Sequence, residues 1–174
     1  MGLVLVFALG LAAAVAGRTD AREDAGRNVA ARNGLERGVL VEINAMRRKH
    51  GLATLRPNAS LRAAADVHSS AMASRGFFAH ESADGSSFWK RVKRFYGSGG
   101  RAYWSVGENL LWSSPDVDAA GALRMWLNSP PHRKNLLTAR WREVGLSAVH
   151  VEAGPGVYKN APVTILTADF GVRR

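Results

Sequence analysis

Two histidines and one glutamate, His80, Glu108 and His132, sit in sequence settings that fix the backbone around them. His80 follows Phe77-Phe78-Ala79, Glu108 is the centre of Gly107-Glu108-Asn109, and His132 ends the run Trp126-Leu-Asn-Ser-Pro-Pro-His132. Two imidazoles and a carboxylate can transfer protons, hold a divalent metal such as zinc, or bind a polar ligand. In the metal reading His80 and His132 are the principal ligands, and Glu108 binds the ion or orients an imidazole. In the catalytic reading Glu108 positions a water or an imidazole, and one histidine moves the proton. No dedicated nucleophile is visible. The chain has no cysteine, no Gly-x-Ser-x-Gly elbow and no His-Glu-x-x-His helix, which leaves Ser82 and Ser129 as the nearest hydroxyls. The residues outline a site and leave its reaction open.

Each of these residues also has a plain structural reading. His80 could cap a helix, Glu108 could pair with a basic neighbour, and His132 could be fixed by the prolines before it. Asn109 suits turn geometry. His68 lies on an apolar helical stripe and reads as a core histidine. Of the five tryptophans, Trp126 stands at core spacing, and the others could line a groove.

The three site residues lie on separate segments, so only the fold can bring them together. Leu35, Val39, Ile43 and Met46 recur at helical spacing, and Gly51 follows as a stop. Leu61, Ala64, Ala65, His68 and Met72 make a second helical stripe, ended by Gly76. A third helix is expected from Asp84 or Ser86, with Phe88, Val92 and Phe95 inward. Residues 103–112 read as a short strand around Glu108. Ser114-Pro115-Asp116 reads as a helix start with Pro at its first position, and Pro130-Pro131 as the break that ends that helix. Residues 143–152 and 163–172 read as strands joined by a wide hairpin. Helices first and antiparallel strands last argue an α+β fold, with helices packed on a small sheet.

Composition sets the remaining bounds. The chain has 174 residues, 47% of them hydrophobic, which suits one globular domain. Residues 1–16 are uncharged and apolar, short for a membrane helix, and end in Ala14-Val15-Ala16, the small-x-small form of a signal-peptidase site. No Lys or Arg precedes the run, so the α-amino group, or residues upstream of Met1, would supply its positive charge. We expect a cleaved export signal at 1–16, with an uncleaved membrane anchor as the alternative, then a polar linker at 17–34 and the folded domain at 35–174. That places the protein outside the cell or in its envelope. The net charge is +10, with basic clusters at Lys90, Arg91, Lys93, Arg94 and Arg101 and at Arg133, Lys134, Arg140 and Arg142. These are solvated helix faces, or contacts for an envelope polymer, an anionic lipid or a secreted protein partner. No nucleic-acid module is present, and no nucleic-acid partner is expected.

Phe-Phe-Ala-His80-Glu-Ser, Gly85 and Arg91, then Gly107-Glu108-Asn109, then the run from Trp126 through His132 to Leu137, then Val144-Gly145-Leu146 and Asp169-Phe170-Gly171 occur in one order. Together they resemble the cysteine-rich secretory, antigen 5 and pathogenesis-related-1 (CAP, or SCP-domain) family in its cysteine-free bacterial branch, over residues 35–172. The resemblance implies an α-β-α sandwich with a small, mainly antiparallel central sheet, and a cleft where His80, Glu108 and His132 face one another. The chain departs from the family's fuller pattern in two places. No second acid stands in Trp126-Leu127-Asn128-Ser129, and Ala168 occupies a position that is often Gln. The expected function is therefore a secreted binding module acting through this cleft, with or without a divalent metal, and a hydrolase using the same residues is the alternative.

Overall fold

A computed structural model of the protein describes residues 12–174, with side chains at residue 23 and from 26 onward. Residues 1–11 of the expected leader lie outside the described residues. Among the described residues no helix is long and apolar enough to cross a membrane. The chain divides into an N-terminal unit, Met1–Ala31, and a larger compact unit, Arg32–Arg174.

The first helix, α1, spans Ala12–Lys49, so residues 17–34 are helical where a linker was expected. The physical reason is composition: this stretch is rich in Ala and Arg, which are good helix formers. Glu23 and Arg27 also form an i,i+4 pair at 3.9 Å. Residues 26–30 are exposed, with Val29 the one sizeable apolar side chain among them.

In the larger unit a four-stranded sheet has the order β1-β3-β4-β2. Its strands are β1 (Arg56–Pro57), β2 (Trp104–Ser113), β3 (Glu143–Gly154) and β4 (Ala161–Arg173). The short β1 runs parallel to β3, and the other pairings are antiparallel. Helices cover both faces. Val39, Ile43 and Met46 of α1 pack with Leu123 and Trp126 of α4 (Ala119–Asn128) and Leu136 of α5 (Pro130–Leu136) over one face. The other face carries α2 (Ala59–Arg75) and α3 (Phe88–Phe95). This is the expected α+β sandwich, with one parallel edge strand.

Strand β4 shows how the layers are specified. Val163 and Ile165 pack toward α2, whereas Leu166, Ala168, Phe170 and Val172 belong to the core beneath α1, α4 and α5. That alternation follows from the two-residue period of a strand. By the same period Glu108 of β2 and Asp169 of β4, paired across the two strands, lie on the α2–α3 side. Gly145 of β3 is required for the close packing of α2, because a Cβ there would come within 2.0 Å of the Arg62 backbone nitrogen.

Local signals set the helix ends. Asn58 caps α2 by accepting from the Ser60 and Leu61 N–H groups at 2.9 and 3.1 Å, and Gly76 closes it in the left-handed region at φ 68°. Three expected boundaries shift, the first being α3, which begins at Phe88 after Ser87 and not at Asp84 or Ser86. Helix α4 begins after Asp118, whose side chain accepts from the Gly121 N–H at 2.6 Å, and not at Pro115. Pro130 and Pro131 do not merely end α4; they form the first turn of α5, where a missing N–H costs nothing. His132 therefore stands on a helix. On α3 the inward aromatic is Tyr96 just past the helix, fully buried, while Phe95 is exposed.

Candidate functional site

The three predicted residues arrive on a loop, a strand and a short helix. His80 follows α2 in the connection to α3, Glu108 is mid-strand in β2, and His132 is in α5. His80 and Glu108 meet directly: the His80 Nδ1–H donates to Glu108 Oε1 at 2.8 Å. The Glu108 side chain has no solvent exposure, and its second oxygen accepts from Arg91 of α3. Arg91 also donates to Ser82 Oγ at 3.0 Å and to the His80 carbonyl at 3.3 Å. The guanidinium thus holds both the carboxylate and the loop that carries the imidazole.

In the sequence Arg91 belongs to a basic cluster that suits a solvated helix face, yet its side chain is buried. The signal was present in the spacing. Arg91 adjoins Val92 on the helical stripe that begins with Phe88, so it faces the same way as the core residues.

A different network holds His132. The Asn109 side chain donates to the His132 carbonyl at 3.1 Å, and Asn135 donates to Asn109 Oδ1 at 2.9 Å and to the Glu108 carbonyl at 3.2 Å. Trp141 Nε1–H in turn donates to the Asn135 side chain at 3.1 Å. Asn109 is therefore the tie between β2 and α5 and not a turn former. Gly107 is needed for the same docking, since a Cβ there would lie 2.7 Å from Asn135 Oδ1 and 2.8 Å from the Trp141 ring. Glu108 and Asn109 point to opposite faces of the sheet, one anchoring His80 and the other anchoring His132. That division accounts for the Gly-Glu-Asn tripeptide.

The His132 ring bonds to neither His80 nor Glu108, but it is close enough to feel the His80 charge. Burial, then that charge, pushes the His132 pKa below its ordinary value. His80 moves the other way: its hydrogen bond to Glu108 outweighs the cost of burial and raises its pKa. The two imidazoles therefore differ in proton affinity although they began alike. Beside His132 lies a cavity of about 260 Å³, walled by Phe78, Leu110, Trp112 and Met125 and reached by Ser129. His80 does not line it.

The other histidines and the hydroxyls are accounted for. His68 is buried, with Nε2–H donating to the Ala79 carbonyl at 2.9 Å, as a core histidine should. His50 donates to the Met46 carbonyl at the end of α1, and His150 pairs with Thr164. Ser82 is engaged by Arg91 and not by an imidazole. Ser129 makes no bond to the His132 ring. A larger concavity, about 410 Å³ between α1, α2 and β3, is lined by Arg37 and Asn58 and by an ion pair in which Glu36 binds Arg62 at 3.0 Å and the Ala148 N–H at 3.0 Å.

Comparison with known proteins agrees with this architecture. A model of the cysteine-rich secretory protein family, CAP, matches residues 40–170. The Bacillus subtilis (strain 168) protein described as uncharacterized protein YkwD is 30% identical over 143 residues, covering 82% of this chain and 51% of that relative. The membrane protein YlbC of the same organism is 32% identical over 111 residues, covering 64% of this chain and 30% of its own length. The chain thus spans about half, or less, of the curated relatives it matches. An extracellular protein containing a SCP domain from Bacillus anthracis str. Ames superposes with a TM-score of 0.62 at 29% identity, over 82% of this chain and 41% of that one. A cysteine-rich secretory protein from Staphylococcus aureus superposes at 0.57 with 19% identity, over 80% and 38%, a likeness of fold alone.

Proposed function

The chain belongs to the cysteine-rich secretory protein (CAP) family, in a cysteine-free form of bacterial type, and from that premise we propose an extracellular ligand-binding role for the His80–His132 cleft. The observation that carries this reading is the support beneath His80. A buried Glu108, itself held by Arg91, engages Nδ1 and leaves Nε2 of a half-exposed ring without a partner among the described residues. An imidazole fixed in this way is organised to meet a hydrogen-bonding group from outside. The apolar cavity beside His132 would take the less polar part of the same ligand. An envelope polymer, a lipid or a secreted protein partner offers that mixed chemistry. An extracellular neighbour of related sequence supports the location.

A resident metal fits these residues poorly. Both Glu108 oxygens are committed, and no group of three or more His, Asp or Glu among the described residues is gathered to hold an ion. Two imidazoles would remain, fewer than the three or four protein ligands of ordinary zinc sites. A hydrolytic reading has one observation in its favour, the opposed pKa shifts of His80 and His132, which suit an acid and a base. It lacks a hydroxyl bonded to either ring.

The test is cosedimentation of the protein with purified wall polymer and, separately, with phosphatidylglycerol vesicles. The His80→Ala, His132→Ala double variant should bind roughly tenfold more weakly, a loss of about 1.4 kcal/mol. Binding that survives the double variant but vanishes with added salt would move recognition to the basic surface and overturn the proposal. Tight stoichiometric zinc uptake that is lost in Glu108→Gln would replace it with a metal centre.

A further inference from the structure

Asp169, the acid of Asp169-Phe170-Gly171, is fully buried in β4. It sits directly across from Glu108 on one side and from Gly145 on the other. Neither of its carboxyl oxygens has a hydrogen-bond donor. A buried carboxylate without donors is among the costliest groups a core can contain. The nearest cation, Arg91, donates from its two terminal nitrogens to Glu108, Ser82 and the His80 carbonyl, keeps a buried Nε–H without a partner, and makes no bond to Asp169. The neighbour within reach is the Glu108 carboxyl, which as a carboxylate can only accept. Two facing acceptors repel, and one proton between them converts repulsion into a hydrogen bond.

We propose that Asp169 is a positioning residue for the cleft, carrying a proton that it donates to the Glu108 carboxylate. Burial first, then the Glu108 charge, drives the Asp169 pKa well above the ordinary carboxyl value, with Arg91 opposing. The charged and titratable groups around this pair are Glu108 from β2, Arg91 from α3, His80 from the loop before α3, and His68 from α2. Strand β3 places Gly145 directly opposite Asp169, and its Glu143, two residues away on the same face, is bonded to Tyr96 and Asn58. Burial depresses the His68 pKa, so it adds no positive charge at neutral pH. With Asp169 protonated, one carboxylate faces one guanidinium, and Glu108 has a single oxygen left for His80. With Asp169 ionised, a surplus negative charge beneath His80 would favour the imidazolium and remove the free Nε2 lone pair. The Asp169 proton therefore keeps His80 a neutral hydrogen-bonding ring over more of the neutral range.

This inference rests on the His80–Glu108 contact and not on what the cleft binds, and its test needs no ligand. Infrared difference spectra of wild type against Asp169→Asn at pH 7 should show a protonated-carboxyl C=O band that the variant lacks. In proton NMR, Asp169→Asn, which keeps a donor at the same place, should leave the His80 titration where it is in wild type. Asp169→Ala, which removes the donor, should raise it. Absence of the carboxyl band would overturn the proposal, as would a downward move of His80 in Asp169→Asn, because either shows that Asp169 was ionised. An unmoved His80 in Asp169→Ala would reduce Asp169 to a space filler. If that variant does not fold, the infrared band and the Asn variant still decide the matter.

Discussion

Glu108 is held by an arginine and a histidine whose needs differ. Arg91 requires the negative charge because its guanidinium is buried, whereas His80 uses the charge to hold a proton on Nδ1. Glu108→Gln keeps the shape and removes the charge, so it separates these roles. The His80 pKa should fall from its raised value, because the hydrogen bond to a carboxylate is the main cause of the shift. Arg91 would be left as an uncompensated buried cation, at a cost of about 3–5 kcal/mol. NMR titration of His80 and urea unfolding check the two expectations independently. An unmoved His80 would show that the contact is not what sets its proton affinity. Arg91→Lys should recover little of the loss seen in Arg91→Ala, because one ammonium cannot reach the Glu108 oxygen, Ser82 and the His80 carbonyl from a single fork.

Among the elements, α4 and α5 carry one wall of the cavity and His132, facing β2, and Trp126 fastens α4 to the sheet. Its ring is fully buried and its Nε1–H donates to the Leu110 carbonyl at 3.1 Å. Trp126→Ala should destabilise the domain by roughly 3–5 kcal/mol in chemical denaturation. A loss below about 1 kcal/mol would mean that the helix is held by other contacts. Asn135→Ala should cost about 1–3 kcal/mol by leaving the Asn109 side chain with an unmet acceptor. It should also shift the His132 resonance, since Asn109 ties β2 to that residue's carbonyl. Much of this was readable in the sequence because periodicity and punctuation agreed. The α2 stripe, Gly76 as its stop, Trp126 as core and the two final strands all follow from side-chain spacing. What was not readable depends on partners distant in the chain. Arg91 looked like a surface cation until Glu108 was placed beside it, and Asp169 gives no periodic signal because its neighbours are apolar on the opposite face. Arg47 is similar. It is buried at the end of α1 and donates to the Leu136 and Thr138 carbonyls at 2.6 and 3.2 Å, closing the C-terminus of α5. The prolines before His132 misled for another reason, since the same residue that ends one helix can open the next.

At the scale of the whole molecule, stability against pH is set by buried groups pulling in opposite directions. His68 has a depressed pKa because it is buried, so its contribution is present above the unfolded value near 6.5 and is lost as pH falls through the folded value. Asp169 has a raised pKa, so its contribution is present below the unfolded value near 3.9 and is lost as pH rises toward its folded value. Between the folded His68 value and about 6.5 the two effects offset one another, and above about 6.5 the Asp169 effect alone acts. These two groups therefore give a plateau on the acid side and a fall as pH rises beyond it. Asp169→Asn removes one of the two causes without removing the donor. Relative to wild type, its melting temperature should therefore gain steadily with rising pH and show no gain near pH 4. His68→Gln should do the reverse, gaining relative to wild type as pH falls below about 6.5. Differential scanning calorimetry of the wild type and both variants across pH 4–9 measures this directly. Parallel curves for wild type and Asp169→Asn over the whole range would show that Asp169 binds the same number of protons folded and unfolded, which is incompatible with a protonated, buried acid beneath His80.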